Sequence, residues 1–238
     1  MRILVAGASG VVGLRLVRLL AAAGHVVTGT TRTTAKTAAI RAAGAAPRVV
    51  DAFDARRLGE VVAAARPEVV VHQMTDLPDR IDPDRMTEMT ARNARVRIEG
   101  TRHLVDAAIR AGARRLVAQS IAWAYVPGPE PHRESDPLDT GAEGNRGVTV
   151  GGVAELERLA TSVPCLDALV LRFGQLYGPG TWNALASGAV PLHVAAAARA
   201  TALAVTRGER GVYNVVEDTA GVSNAKARAG LGWDPGVR

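Results

Sequence analysis

Arg2-Ile3-Leu4-Val5-Ala6-Gly7-Ala8-Ser9-Gly10-Val11-Val12-Gly13 decides how this chain is read. Ile3 to Ala6 form a short apolar run suited to a buried strand, glycines recur at positions 7, 10 and 13, and Val12, Leu16, Leu19 and Leu20 then repeat at helical spacing. A strand that turns through glycines into a helix gathers free backbone N–H groups at the positive end of that helix, where small residues let a pyrophosphate approach. Gly7, Ser9, Gly10, Val11, Val12 and Gly13 are therefore expected to hold the phosphates of a dinucleotide.

Working outward, short Val- and Leu-rich runs alternate with amphipathic ones, the pattern of a parallel sheet covered by helices on both faces. Strands are expected at 3–6, 26–30, 48–50, 69–72, 116–119, 169–172 and 212–215, helix ends at Gly24 and Gly112, and a helix over the alanine run 195–200. The fold expected is α/β: a Rossmann-type doubly wound parallel sheet with a small, abbreviated C-terminal substrate lobe. Its 238 residues suit one structural unit, with residues 1–165 as the dinucleotide-binding core and 166–238 carrying the remaining strands and the lobe. The stretch 126–147, rich in Pro, Gly and charge, is expected as a long loop over a site.

The second strand ends in Thr30-Thr31-Arg32, about 20 residues after the glycine loop, where an NAD-specific protein places a carboxylate on the ribose hydroxyls. Thr31 leaves room there for a 2′-phosphate and Arg32 offers it a planar fork, so NADP(H) is favoured and NAD(H) is the alternative. Asp51 and Ala52 are expected near the adenine, Gln73, Met74 and Thr75 along the cofactor after the fourth strand, and Asp54 as the N-cap of the next helix. Asp76 and Asp79 are expected as solvated loop carboxylates, and His72 as structural.

The formal charge of +6 is carried by arginine, since Lys36 and Lys226 are the only lysines, and no basic run interleaved with aromatics points to nucleic acid. No apolar run reaches the roughly 18 residues of a membrane span, and the N-terminus enters a strand directly, so the expected location is cytoplasmic. Cys165, the only cysteine, leaves no intramolecular disulfide and no cysteine-based metal site, and is expected to pack. No metal site is expected.

From Met1 to about Gly180 these residues resemble the extended short-chain dehydrogenase/reductase superfamily, its NAD-dependent epimerase/dehydratase group. The likeness is carried by the glycine loop, Asp51, Val70-Val71-His72, Gly100-Thr101 with Leu104, and Leu171-Arg172 through Tyr177-Gly178-Pro179-Gly180. It implies that Arg172 and Tyr177 line a substrate pocket, that the substrate is a small organic or sugar-like molecule, and that two copies pair through the helices holding 92–111 and 149–162. It also implies a catalytic Ser or Thr, a Tyr, and a Lys four residues after the Tyr. This chain departs from that relay: Ile121 stands in the Ser/Thr position, Thr149 in that of the Tyr, Val153 in that of the Lys, and Arg97 in that of a supporting Asn. Ser120 and Tyr125 are the remaining candidates for proton transfer. Two readings follow, an atypical NADP(H)-dependent oxidoreductase, epimerase or dehydratase, and a catalytically degenerate NADP(H)-sensing regulator or scaffold. The joins at 187–194 and 217–224 are shorter than the resemblance implies, consistent with the abbreviated lobe.

Overall fold

Alternation along the strands builds the molecule: Ile3 and Val5 face one side of the sheet while Leu4 and Ala6 face the other, and Val69 and Val71 likewise oppose Val70. Because both sides are apolar, both must be covered, which selects helices on each face. In the computed structural model, which describes residues 1–78, 80 and 82–237, the chain runs β1 (Arg2–Ala6), α1 (Val11–Ala22), β2 (Val26–Thr31), α2 (Thr37–Ala42), β3 (Ala46–Val49), α3 (Ala55–Ala65) and β4 (Val69–His72). It continues through α4 (Met86–Arg95), α5 (Thr101–Arg110), β5 (Arg115–Ile121), α6 (Gly144–Thr161), β6 (Asp167–Phe173), β7 (Gln175–Tyr177), β8 (Pro191–His193), α7 (Val194–Ala204), β9 (Gly211–Val215) and α8 (Ala225–Leu231).

Seven strands make one parallel sheet in the order β3-β2-β1-β4-β5-β6-β9. The winding reverses between β1 and β4, so a crevice opens beyond their C-terminal ends, the place where doubly wound sheets bind ligands. One core layer joins α1, α2, α7 and α8 to the sheet through Leu16, Ile40, Ala197 and Leu231, and the other joins α3, α5 and α6 through Leu58, Leu104 and Leu156. Gly24 and Gly112 have positive φ immediately beyond α1 and α5, as helix-ending glycines do.

Several expectations need adjustment. The third strand begins at Ala46, and α6 begins at Gly144 inside the stretch expected as loop. Arg146 explains the early start, because it bonds Asp139 at 2.7 Å and the Tyr125 carbonyl at 3.0 Å, fastening the helix to the segment before it. The short parallel pair β7–β8 had no signal in the sequence, each strand being three residues long. Cys165 is exposed and does not pack, and Asp79 lies outside the described residues.

A buried ion pair ties α6 to the sheet. Glu157, on the face of α6 that also buries Val153, Leu156 and Ala160, accepts two hydrogen bonds from Arg172 of β6, from Nε at 2.9 Å and from Nη2 at 2.7 Å. Truncating one member would leave the other charged and unpaired. Glu157→Ala is expected to cost about 3–5 kcal/mol in urea unfolding, with much of that loss recovered when Arg172→Met is added.

Candidate active site

The glycine loop fits a pyrophosphate. Gly10 caps α1 without any side-chain hydrogen bond, and the first turn of α1 holds no acidic residue, so its backbone N–H groups are left for a ligand. A Cβ at Gly13 would stand 2.4 Å from the Gly7 carbonyl oxygen and one at Gly7 2.4 Å from that of Gln73, whereas a Cβ at Gly10 would meet only the Gly7 oxygen, at 3.4 Å. The first two glycines named let backbone pack on backbone; Gly10 keeps the space above the helix clear. Ser9 Oγ donates to Thr31 Oγ1 at 3.1 Å, joining the loop to the end of β2.

Gln73 is buried beside this loop, and both its amide oxygen and its amide nitrogen lack a partner in the protein. A buried amide with nothing to bond costs free energy that a bound polar ligand would offset. Ala52, Met74 and Gly100 meet around one spot, since a Cβ on Gly100 would lie 3.4 Å from Ala52 Cβ and 3.5 Å from Met74 Cε. Asp51 bonds the Phe53 N–H at 2.9 Å, and Asp54 caps α3. Thr75 follows Met74 on the same segment.

At the ribose end the structure adds a residue and corrects one. Asp76 is not solvated: it is buried and accepts from Arg32 Nη1 at 3.0 Å and from Arg92 Nε at 3.0 Å. Burial opposes its charge, but the hydrogen bonds from Arg92 and Arg32 prevail and hold the carboxyl below its ordinary range. Arg92 lies about 60 residues from Arg32 on a different element, so no local pattern announced the trio.

The candidates for proton transfer are occupied elsewhere. Ser120 Oγ donates to Glu157 at 2.6 Å, Tyr125 donates to Asn214 Oδ1 at 2.6 Å, and Arg172 Nη1 donates to the Tyr125 hydroxyl at 2.8 Å. Ser120, Arg172 and Asn214 are cross-strand partners on β5, β6 and β9, so strand register itself lines them up. Burial raises the Tyr125 phenol above its ordinary value, which works against acid or base chemistry near neutral pH. Arg172 likewise faces Glu157 and Tyr125 within the network and does not line an open pocket, and the buried Tyr177 donates its hydroxyl to Glu217 at 2.8 Å. Each of the four residues expected for catalysis or substrate binding is thus engaged with another side chain of the protein. Glu157 and Asn214 were the unforeseen members, although a Glu on the apolar stripe of α6 was a visible signal.

Two of the three positions where the family carries its relay, Ile121 and Val153, are apolar. Ile121, Ala124, Val150 and Val153 form one buried cluster with Leu138 packed against it, so the strand position of the Ser and the helix position of the Lys meet as hydrocarbon. Arg97 lies in the π-helical turn Val96–Gly100 joining α4 to α5, and its Nη1 reaches the Thr149 carbonyl at 3.4 Å. His72 is neutral: its Nδ1 accepts from the Met74 N–H at 3.3 Å while Nε2 sits 2.8 Å from Thr101 Oγ1. Burial, with a smaller contribution from the charge on Arg97, pushes its pKa down to about 4.

The reversed winding, the open-capped helix and the orphaned amide beside it suit a dinucleotide at the switch point of a doubly wound sheet. The chain belongs to the NAD dependent epimerase/dehydratase family, whose model matches residues 3–213. It is similar to a Streptomyces protein named 3-diazoavenalumate denitrifying reductase, 52% identical over 185 residues, which are 76% of this chain and 58% of that protein. The chain thus spans a little over half the length of this curated relative. Among solved structures it resembles UDP-glucose 4-epimerase from Thermotoga maritima, with a TM-score of 0.81 and 19% identity over 100% of this chain and 94% of the other. The dTDP-glucose 4,6-dehydratase of Streptomyces venezuelae, solved with NAD, gives a TM-score of 0.81 at 19% identity over 100% and 93%. At such identities the structural likeness speaks for the fold.

Two outcomes are expected. Gly10→Glu fills the open space above α1 and is expected to fold with an unchanged melting temperature yet lose dinucleotide binding in a fluorescence titration. For His72, the unfolded chain takes up a proton near the ordinary value of 6.5 that the folded chain refuses until about pH 4, so stability is intact above this window and falls as pH falls through it. Urea midpoints at pH 7 and pH 5 are expected to show a loss of roughly 2 kcal/mol that is absent in His72→Gln.

Proposed function

We propose that this protein is an NADP(H)-dependent reductase that places hydride on an organic substrate without a proton relay of its own, and that its substrate is a diazonium compound released as dinitrogen and the reduced product. The observation that carries this reading is the hydrocarbon cluster of Ile121, Ala124, Val150 and Val153 where a relay would stand. Reducing a carbonyl needs a proton at oxygen, and dehydration or epimerisation needs protons moved on and off carbon. Displacing dinitrogen needs neither: the C–N bond breaks with its electron pair leaving on nitrogen, a C–H bond forms with the incoming hydride, and charge balances. A nicotinamide cofactor, held by Gly7, Ser9, Gly10 and Gln73, would supply that hydride and be oxidised in return. The curated relative is named for the reductive denitrification of a diazo compound, which agrees with this chemistry.

The residues of this chain would bind and orient. Gly7, Ser9, Gly10 and the first turn of α1 receive the pyrophosphate, Gln73 bonds the cofactor with its buried amide, and the apolar cluster keeps water from the reacting carbon. NADP(H) is favoured because no carboxylate follows β2 at Thr31, and Arg32 beside it, half-exposed and held by Asp76 through Nη1, has further guanidinium N–H groups to offer a 2′-phosphate, while Arg92 is shared between Asp76 and Glu88.

The decisive experiment incubates the protein with an arenediazonium carboxylate and NADPH deuterated at C4 of the nicotinamide. The expected product carries one deuterium from the cofactor, gas evolves in step with NADPH oxidation, and unlabelled NADPH in heavy water leaves the product unlabelled. Label entering from heavy water would overturn the mechanism, and tight NADPH binding without any turnover would favour the sensor reading instead. For the cofactor, Arg32→Ala is expected to weaken NADPH about 10- to 100-fold in calorimetry and leave NADH unchanged.

A further inference from the structure

Buried charges in this protein come with counter-charges: Glu157 has Arg172, and Asp76 has Arg32 and Arg92. Arg97 breaks the pattern among the described residues. Its residue surface is 9% exposed, yet it forms no ion pair, and its single hydrogen bond is the 3.4 Å contact from Nη1 to the Thr149 carbonyl, long for a charged donor. Most of the guanidinium's N–H donors are uncommitted. Burial, the only cause acting, draws its pKa down to about 10, whereas Arg172 beside Glu157 is held above its ordinary value.

Its location gives this cation a use. The π turn inserts an extra residue between α4 and α5, and such turns are frequent at functional positions. One side of the guanidinium reaches Thr149, at the relay position on α6, and its charge is felt at His72, at the C-terminal end of β4. Arg97 therefore lies between Thr149, which adjoins Val150 of the hydrocarbon cluster, and the C-terminal end of β4, the end of the sheet at which the crevice opens. An unpaired cation so deeply placed destabilises the empty protein by its lost hydration and would be compensated by an anion arriving with a ligand.

We infer that Arg97 is the anion-recognition residue of this site, its planar fork taking an anionic oxygen of the substrate, a carboxylate or a phenolate. The inference rests on the proposed reading that an organic substrate enters this crevice. It also orients a diazonium: an anionic oxygen held at Arg97 fixes one end of the molecule and draws the cationic group away from the guanidinium, which would repel it. The name of the curated relative's substrate is that of an anion, in keeping with such a contact.

The test compares wild type with Arg97→Met and Arg97→Lys by calorimetry and thermal melting, using cinnamate, 4-nitrophenolate and the neutral cinnamamide as probes. Wild type is expected to bind at least one anionic probe about ten-fold more tightly than cinnamamide, and the stronger of the two identifies carboxylate or phenolate as the source. Arg97→Met should lose this preference, Arg97→Lys should keep part of it, and Arg97→Met without ligand should melt at or above the wild-type temperature, since it removes an unpaired buried charge. No anion preference in wild type, a preference unchanged in Arg97→Met, or a lower melting temperature of Arg97→Met with probe binding intact would each overturn the assignment. An NADPH titration alongside separates the two claims: its failure would count against the proposed reductase and leave the anion comparison to decide the role of Arg97.

Discussion

Glu157 is a carboxylate on a helix face that otherwise buries Val153, Leu156 and Ala160, and the C-terminal end of the sheet is organised around neutralising it. Arg172 meets it with two hydrogen bonds, Ser120 adds a third, and the spare nitrogen of Arg172 turns to the Tyr125 hydroxyl, which passes the chain on to Asn214. Glu134 then fastens the segment before α6 to the same place through the Asn214 N–H at 2.8 Å. A carboxylate removed from water demands this much, and the demand consumes the polar side chains that chemistry might otherwise have used. On the other side of the switch point no such demand exists, and there Gln73 and the first turn of α1 keep their hydrogen-bonding capacity for a ligand.

Whether a polar side chain is already committed says more about its use than its residue type does. Tyr125 and Ser120 are the sort of residues that catalyse, but their hydroxyls are committed and buried. Gln73 and Arg97 are less suggestive as letters, yet among the described residues Gln73 is the buried side chain with both polar atoms unpartnered and Arg97 makes one long hydrogen bond, while the network keeps a single orphan, Asn214 Nδ2.

The fold was legible because its signals are local. Alternating Ile3, Leu4 and Val5, three glycines and a helical stripe lie within a single stretch, and each later strand repeats the same apolar signature. The glycine turn into α1 was legible for the same reason, and the departure from the Tyr and Lys pattern showed directly in Thr149 and Val153. What escaped was built across the sheet: the row Ser120–Arg172–Asn214 depends on the register of three strands, and the trio Arg32–Asp76–Arg92 on three segments brought together only by folding. Strands β7 and β8 were too short to carry any period.

The hydrocarbon cluster has a consequence for how such a site can change over generations. Ile121 and Val153 pack against each other's neighbours, so neither position is independent. A Val153→Lys step alone would bury an ammonium with no phenol at 149 to serve, and a Thr149→Tyr step alone would supply a phenol with no lysine to lower its pKa. Neither change builds a proton relay without the other. A lineage that has filled these positions with hydrocarbon is thereby held to chemistry that works without them, and further change is channelled toward the crevice walls and the residues that greet the substrate.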